Sequence, residues 1–453
     1  MDVLKEARVL AVSSCPIAAG YVLQQSLQLA SIFIVGRLGS VELSIVAFSY
    51  MIATGTGWLL AIGGTTAIDP LGSMSFTKGG HIGEIGILLQ KYLVSTGILF
   101  MPIAGFWYFS ASFLLYFGHP AELAYGTQTF LRALTPFAIG YILFEALKKY
   151  LQCQEIRTPG TLILLVASIL NIPTSYLFVH TFGWGLTGGA CATGSMYWLC
   201  ALSALAYIRF SDASEAWRGW SRECLQDLRG FTKTVLLGIV SVGAEWWAFE
   251  IIALAAGSMG QSSASAQSII MSTDSLLSLF PFGAGIATTN RVASLLGAGN
   301  VKQADIAARA ASVIAASTGL VVMAGLLLFG RQIALLFTDD PNIVSLAVAV
   351  FPCVAAFQIS DGLQAANAGV LRAVGKVSIA AVVNMLAYYC IATPIGIFLA
   401  FKLGYGLYGL WAGLALALTL AGLAELVMVF SMNWSQFGQD CDLESLSPEQ
   451  INF

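Results

Sequence analysis

Residues 403–415, LGYGLYGLWAGLA, repeat residues 182–194, FGWGLTGGACATG, at an offset of 221. Pro173 and Pro394 stand apart by the same offset. Further upstream, Pro136 and Glu145 align with Pro352 and Asp361 at an offset of 216. IDPLGSMSFTKGG (68–80) aligns loosely with TTNRVASLLGAGN (288–300) at 220. Self-similarity at offsets of 216 to 221 along the whole chain means two copies of one structural unit.

The composition places those copies in a bilayer. Of the 453 residues, 57% are hydrophobic and 10% charged, whereas soluble domains carry roughly 25% charged residues. So few charges cannot cover a soluble surface of this size. Apolar runs of about 20 residues, each able to cross a hydrocarbon core of about 30 Å, recur from end to end. The chain therefore reads as an all-α polytopic membrane protein, with twelve transmembrane helices in two pseudo-symmetric six-helix bundles. The expected spans are 9–36, 42–68, 92–117, 127–151, 160–180, 186–208, 233–256, 262–290, 306–329, 343–371, 377–401 and 406–431. The first is too long for a signal peptide and is followed by no small-residue cleavage site. A net charge of −3 argues against nucleic acid as a partner. The eight cysteines form no CxxC pair. Cys15, Cys191 and Cys390 lie in apolar runs, where thiols pack as small hydrophobes and not as a disulfide or zinc framework.

Twelve spans sort the basic residues sharply. Seventeen of the 21 Lys and Arg fall on the side of Lys5 and Arg8, and only Arg37, Arg132, Arg331 and Lys402 fall opposite. The positive-inside bias makes the first side cytoplasmic, so both termini are expected there. The domains then read as an N-terminal six-helix lobe (1–208), a cytoplasmic connector (209–232), a C-terminal six-helix lobe (233–431) and an acidic cytoplasmic tail (432–453). The connector sequence RFSDASEAWRGWSREC (209–224) alternates charge signs as a solvated linker does and has room for an interfacial amphipathic helix. Six spans, an even number, separate the copies, so both face the same way. Parallel repeats of this kind commonly enclose a cavity and rock about it, as alternating-access transporters do.

Ionisable side chains inside such spans are costly and mark function by default. GAEWWAFE (243–250) carries Glu245 and Glu250 in span seven. Counted from Lys233 at 1.5 Å per residue, Glu245 lies about 18 Å deep, near the midplane. Glu250, five residues on, points about 140° away, so the two do not share one site. Asp361 in span ten lies about eleven residues before Arg372, a depth like that of Glu245. Asn384 and Tyr388, at i and i+4 in span eleven, are placed to hydrogen-bond such a group. Glu145, the repeat partner of Asp361, has Lys148 and Lys149 as alternative partners. Asp274 sits among serines in span eight. Asp69 precedes Pro70, where it serves the N-terminal half or caps a kink. Trp246 and Gln267 join the groups assigned to the substrate cavity.

A carboxyl group taken out of water favours its neutral form. Such a group accepts a proton from an acidic compartment and loses it to the cytoplasm. Ionised, it attracts a cationic or hydrogen-bonding substrate; protonated, it releases that substrate. On this logic Glu245 is the expected main proton carrier and Asp361 the second, with Glu250, Asp69, Asp274 and Glu145 as secondary carboxylates. Each also has a plainer reading as a structural acid bonded to a neighbouring helix. His81, His119 and His180 fall at span ends or loops, so no histidine relay is expected. GxxxxGK[ST] is absent, so the chain encodes no ATP-driven pump of its own, and neither cofactor nor metal is expected beyond an ion gradient.

The chain resembles the multidrug and toxic compound extrusion (MATE) family in its eukaryotic branch, over nearly its whole length. The resemblance rests on FIVGRLGSVEL (33–43), NIPTSYLFV (171–179), EWWAFE (245–250), RVASLLGAGN (291–300), and GVLRAVGK (369–376) followed by VNMLAYY (383–389). It implies two six-helix bundles in a V, antiport of organic compounds against protons, and essential carboxylates in the C-terminal lobe. These fall on Glu245, Glu250 and Asp361, with Asn384 and Tyr388 nearby. Ser31 stands where bacterial members carry an aspartate, and Ser272 where animal members carry a glutamate. DPLGSMSFTKGG (69–80) alters the second-span motif, and Asp361 replaces a longer glutamate. The expectation is a monomeric exporter of cationic or polyaromatic organic compounds, coupled to protons, in the plasma or vacuolar membrane. Its partners are those substrates, protons and the lipid bilayer. A sodium-coupled exporter, a lipid or lipid-linked sugar flippase, and a non-transporting scaffold are the alternatives.

Overall fold

The computed structural model describes residues 2–78 and 82–439; His81 and the tail beyond Gln439 lie outside the described residues. Among the described residues, twelve helices are long and apolar enough to cross a membrane. They are α1 (Val3–Gly36), α2 (Ser40–Thr77), α3 (Gly83–Tyr108), α4 (Ala121–Cys153), α5 (Thr158–Thr181), α6 (Gly185–Phe210), α7 (Leu228–Gly257), α8 (Gln261–Gly297), α9 (Val301–Leu335), α10 (Pro341–Ala373), α11 (Val377–Lys402) and α12 (Gly406–Phe430). The protein is an all-α integral membrane protein.

The repeat reappears in the backbone. α5 ends in a π-helical turn, Leu177–Thr181, and α11 ends in another, Phe398–Lys402. Each turn is followed by two glycines of positive φ: Gly183 (69°) and Gly185 (56°) in one copy, Gly404 (75°) and Gly406 (54°) in the other. A Cβ in that left-handed region costs about 1–2 kcal/mol, so glycine is what lets the chain reverse here. α2 and α8 end 220 residues apart, at Thr77 and Gly297.

The third span departs from the expected 92–117. α3 starts at Gly83, stops at Tyr108, and a separate short helix, Ser110–Tyr116, follows. Glu84 and Gln90 made the segment before residue 92 look like a loop, yet both are held by protein groups. Ser75 Oγ donates to Glu84 at 2.9 Å, and Gln90 Nε2 donates to the Gly219 carbonyl at 2.9 Å. Polar residues whose bonds are satisfied stay helical. Phe109 leaves helical geometry (φ −113°, ψ 19°) and ends the span.

The chain packs as two compact units, Ala19–Ile239 and Met1–Ala18 with Val240–Phe453. The first centres on Trp58, which stacks on Tyr141 at 4.0 Å and meets Trp107 and Tyr197 edge-on. The connector belongs to it, as two short 3₁₀ turns, Asp212–Ala216 and Arg222–Leu225, in place of an amphipathic helix. Ala213, Ala216 and Cys224 are buried, and Tyr150 donates to the Ala213 carbonyl at 2.8 Å. In the second unit Trp411 lies parallel to Phe357 and edge-on to Phe249. The start of α1 packs here too: Leu10 meets Ala310, Ala311, Ala315 and Ala366. Glu6 accepts two bonds from Arg291, at 2.9 and 2.8 Å, and a third from Gln303 at 2.9 Å.

Candidate functional site

The site in the second unit is organised by α10. Gln358, Asp361 and Gln364 recur every three residues and are all buried, a spacing that keeps them near one face of the helix. The two glutamines are committed outward. Gln358 Nε2 donates to Asp274 Oδ1 on α8 at 3.0 Å. Gln364 Nε2 donates to Asn384 Oδ1 on α11 at 3.0 Å, while its carbonyl accepts from the Tyr388 hydroxyl at 3.2 Å. Asp361 stands between them, 8% exposed, and accepts no hydrogen bond from a protein group among the described residues.

Glu245 joins this arrangement from α7. Asn384 Nδ2 reaches the Ser241 carbonyl at 3.5 Å and Tyr389 donates to the Ala244 carbonyl at 3.1 Å, which pins α7 against α11 at the turn that carries Glu245. α7 starts at Leu228, five residues before Lys233, so these bonds, not a residue count, set the level of Glu245. Glu245 is half-buried and makes no hydrogen bond to protein among the described residues. Asp361, Asp274 and Tyr388 all lie within its electrostatic reach. Asn384 and Tyr388 therefore hydrogen-bond Gln364 and not a carboxylate, unlike the direct bond that the i, i+4 reading supposed.

The other residues singled out from the sequence fall elsewhere. Glu250 is half-buried and outside the hydrogen-bonded network, as its rotation from Glu245 requires. Gln267 is buried and accepts from the Trp411 indole at 2.6 Å. Trp246 is half-buried and Trp247 exposed. Asp69 and Glu145 lie in the first unit, and both are neutralised. Lys149 Nζ sits 2.8 Å from Asp69 Oδ2, and Lys148 Nζ 2.7 Å from Glu145 Oε1. Gln24 closes the second pair, donating to Glu145 at 2.8 Å and accepting from Lys148 at 3.1 Å.

The two units solve one design with different charge. Gln24 and Glu245 each stand twelve residues before the glycine that ends their helix, Gly36 and Gly257. Glu145 and Asp361 are 216 apart, and so are Lys148 and Gln364. A set of glutamine, acid and lysine in one unit corresponds to a set of acid, acid and glutamine in the other. The first is neutral when ionised, with Lys148 and Gln24 both bonding one carboxylate oxygen of Glu145. The second carries two carboxyls with no cation at the third position.

Gln358 and Gln364 escaped the sequence reading, although QISDGLQAAN (358–367) shows a polar residue at every third position. So did Glu425 on α12, which is fully buried with neither oxygen hydrogen-bonded. Its signal was a lone acid in the apolar stretch LAGLAELVMVF (420–430).

Comparison with known proteins agrees with this architecture. The MatE family profile matches residues 16–177 and 239–398, one block in each repeat. The mouse multidrug and toxin extrusion protein 2 is 30% identical over 448 residues, 98% of this chain and 78% of the mouse protein. Protein DETOXIFICATION 17 of Arabidopsis thaliana is 30% identical over 426 residues, covering 93% of this chain and 89% of the relative. The crystal structure of the eukaryotic MATE transporter AtDTX14 superposes over 100% of both chains with a TM-score of 0.92 at 27% identity. The twelve spans, their repeat and these matches together establish that this chain belongs to the MATE family of transporters.

Proposed function

We propose that this transporter exports organic compounds, cationic or polyaromatic, from the cytoplasm in exchange for protons, by alternating access, with Glu245 as the main proton-carrying group and Asp361 as the second. The names of the mouse and plant relatives support extrusion of toxic compounds. The observation that carries proton coupling is the charge difference between the repeats. Where the first unit pairs Glu145 with Lys148, the second leaves Glu245 and Asp361 beside an uncharged glutamine. Two neighbouring carboxyls in a low-dielectric site resist simultaneous ionisation, so a proton is retained between them until a cation takes its place. A protonated pair has no charge to hold a cationic substrate; a deprotonated pair does. Exchange of one for the other is antiport.

The orientation follows the basic-residue bias, with both termini cytoplasmic, and the plasma and vacuolar membranes both present an acidic face for the proton to enter from. Glu250, Asp69, Asp274 and Glu145 have supporting roles: Asp69 and Glu145 hold the first unit together through their lysines, and Asp274 anchors Gln358.

The test is efflux of a fluorescent planar cation from proteoliposomes under an imposed pH gradient without sodium, and under a sodium gradient with pH clamped. Efflux in the first condition and none in the second is expected. The reverse pattern replaces protons with sodium as the coupling ion, and no flux under either condition rejects the antiport reading.

A further inference from the structure

Resting on the proton-coupled reading above, we propose that Glu425 is a proton relay group, which takes the proton from the Glu245–Asp361 pair and passes it toward the end of α10 and α12. The geometry begins with register. The Ser360 hydroxyl donates to Thr419 Oγ1 at 3.3 Å, and a Cβ on Gly422 would meet the Ser360 carbonyl at 2.7 Å. α12 therefore touches α10 beside Asp361. Glu425 lies one turn beyond Gly422, on the buried stripe that also holds Leu414, Leu418, Ala421 and Val429. There it comes beside the α10 backbone at Ala368 and within electrostatic reach of Arg372. Ala368 is seven residues past Asp361 and four before Arg372. In distance along α10 the group stands about 10 Å from Asp361.

An acid at this place needs a purpose. It is 0% exposed, and neither oxygen has a hydrogen-bond partner among the described residues. Structural acids in this protein look different: Glu145 and Glu6 are each held by a cation and an amide. Leaving a buried polar group unbonded is destabilising, more so for a charge, and a leucine at the same place would avoid it. A group that alternates between two partners must be incompletely bonded in any one state. Here Asp361 lies on one side and Arg372 on the other.

The charged and titratable groups facing Glu425 fit that sequence. α10 contributes Arg372, α7 contributes Glu245, and the π turn of α11 contributes Tyr388, while Asp361 stands about 10 Å back along α10. Arg309 of α9 covers the Phe430 ring at the end of α12. In the first step the O–H bond of protonated Asp361 breaks, the proton crosses the intervening distance along bridging water, and an O–H bond forms at the Glu425 carboxylate, leaving Asp361 ionised to hold a substrate cation. In the second, Glu425 loses that proton to water at the helix end, and its carboxylate is held by the Arg372 guanidinium. One proton moves in each step and no charge is created.

The experiment uses the full chain in proteoliposomes, with a planar fluorescent cation inside and an internal pH dye. Glu425→Gln and Glu425→Asp are compared with wild type and with Glu245→Gln, and substrate Kd and thermal unfolding are measured in detergent. Glu425→Gln is expected to slow proton-driven efflux at least about tenfold and flatten its dependence on the pH at the α10–α12 end. Its Kd stays within about twofold of wild type and its unfolding temperature is equal or higher, and Glu425→Asp restores most of the flux. Wild-type rate and pH profile in Glu425→Gln overturn the relay while leaving the coupling reading intact. Loss of fold or of substrate affinity in Glu425→Gln, with no rescue by Glu425→Asp, also overturns it in favour of a structural acid. A wild type that shows no pH-driven flux overturns both readings together.

Discussion

Lys149 is 1% exposed and its only acidic partner among the described ion pairs is Asp69, itself 2% exposed. Removing one member of such a pair strands the other charge. Lys149→Met is expected to cost about 3–5 kcal/mol, whereas Lys149→Met with Asp69→Leu recovers most of it; thermal unfolding of the purified protein in detergent reads both. In the second unit Gln364 is the buried joint of the network. Gln364→Leu leaves the Asn384 amide oxygen and the Tyr388 hydroxyl without their partner, a loss of about 1–3 kcal/mol. It should also weaken substrate binding, because α10 and α11 are then no longer tied beside Asp361. Such roles were only partly legible. Glu245 and Asp361 announced themselves as acids deep in apolar runs. Lys148 was legible as a partner of Glu145, but its burial and the pairing of Lys149 with Asp69 were not, because two lysines near the end of a span look like a positive-inside flank. Glu425 was hidden by position: five residues before the end of α12, it looked like a residue at the water boundary, and only packing against α10 shows it to be enclosed.

At the level of elements, glycine decides how closely α12 approaches α10. Gly422→Leu places side-chain atoms where the Ser360 carbonyl stands, so α12 must move outward. Overpacking of this kind costs typically about 1–3 kcal/mol, and here it also separates Glu425 from α10. The expected result is a lowered unfolding temperature together with slowed flux, while a substitution at the open Gly325, whose Cβ meets nothing within 4 Å, changes neither. The element boundaries that hydropathy placed well are those where an apolar run meets the paired glycines, as at Gly183 to Gly185 and Gly404 to Gly406. Those it misplaced are where polar residues remain helical because another segment bonds them. α3 gained about two and a half turns at its start through Glu84 and Gln90, and the connector was folded by Tyr150 and by Gln90 for the same reason. Hydropathy sees the polarity of a residue; it does not see its partner.

Over the whole molecule the repeat was plain from the sequence, but the use made of it was not. Aligning Glu145 with Asp361 suggested equivalence, whereas the side chains divide the labour. On the proposed function, one copy uses its polar groups for cohesion, and the other keeps two carboxyls available for exchange. Glu250→Gln is therefore expected to retain most proton-driven efflux, since Glu250 stands outside the network. The most direct measurement is substrate-driven proton movement, recorded with an internal pH dye as an outward substrate gradient runs down in sodium-free proteoliposomes. Wild type and the Glu145→Gln/Lys148→Met double variant are expected to take up protons as substrate leaves, and Glu245→Gln to leave the internal pH unchanged. Proton uptake by Glu245→Gln at the wild-type rate, with loss of uptake in a folded Glu145→Gln/Lys148→Met protein, would contradict the assignment of coupling to the C-terminal unit.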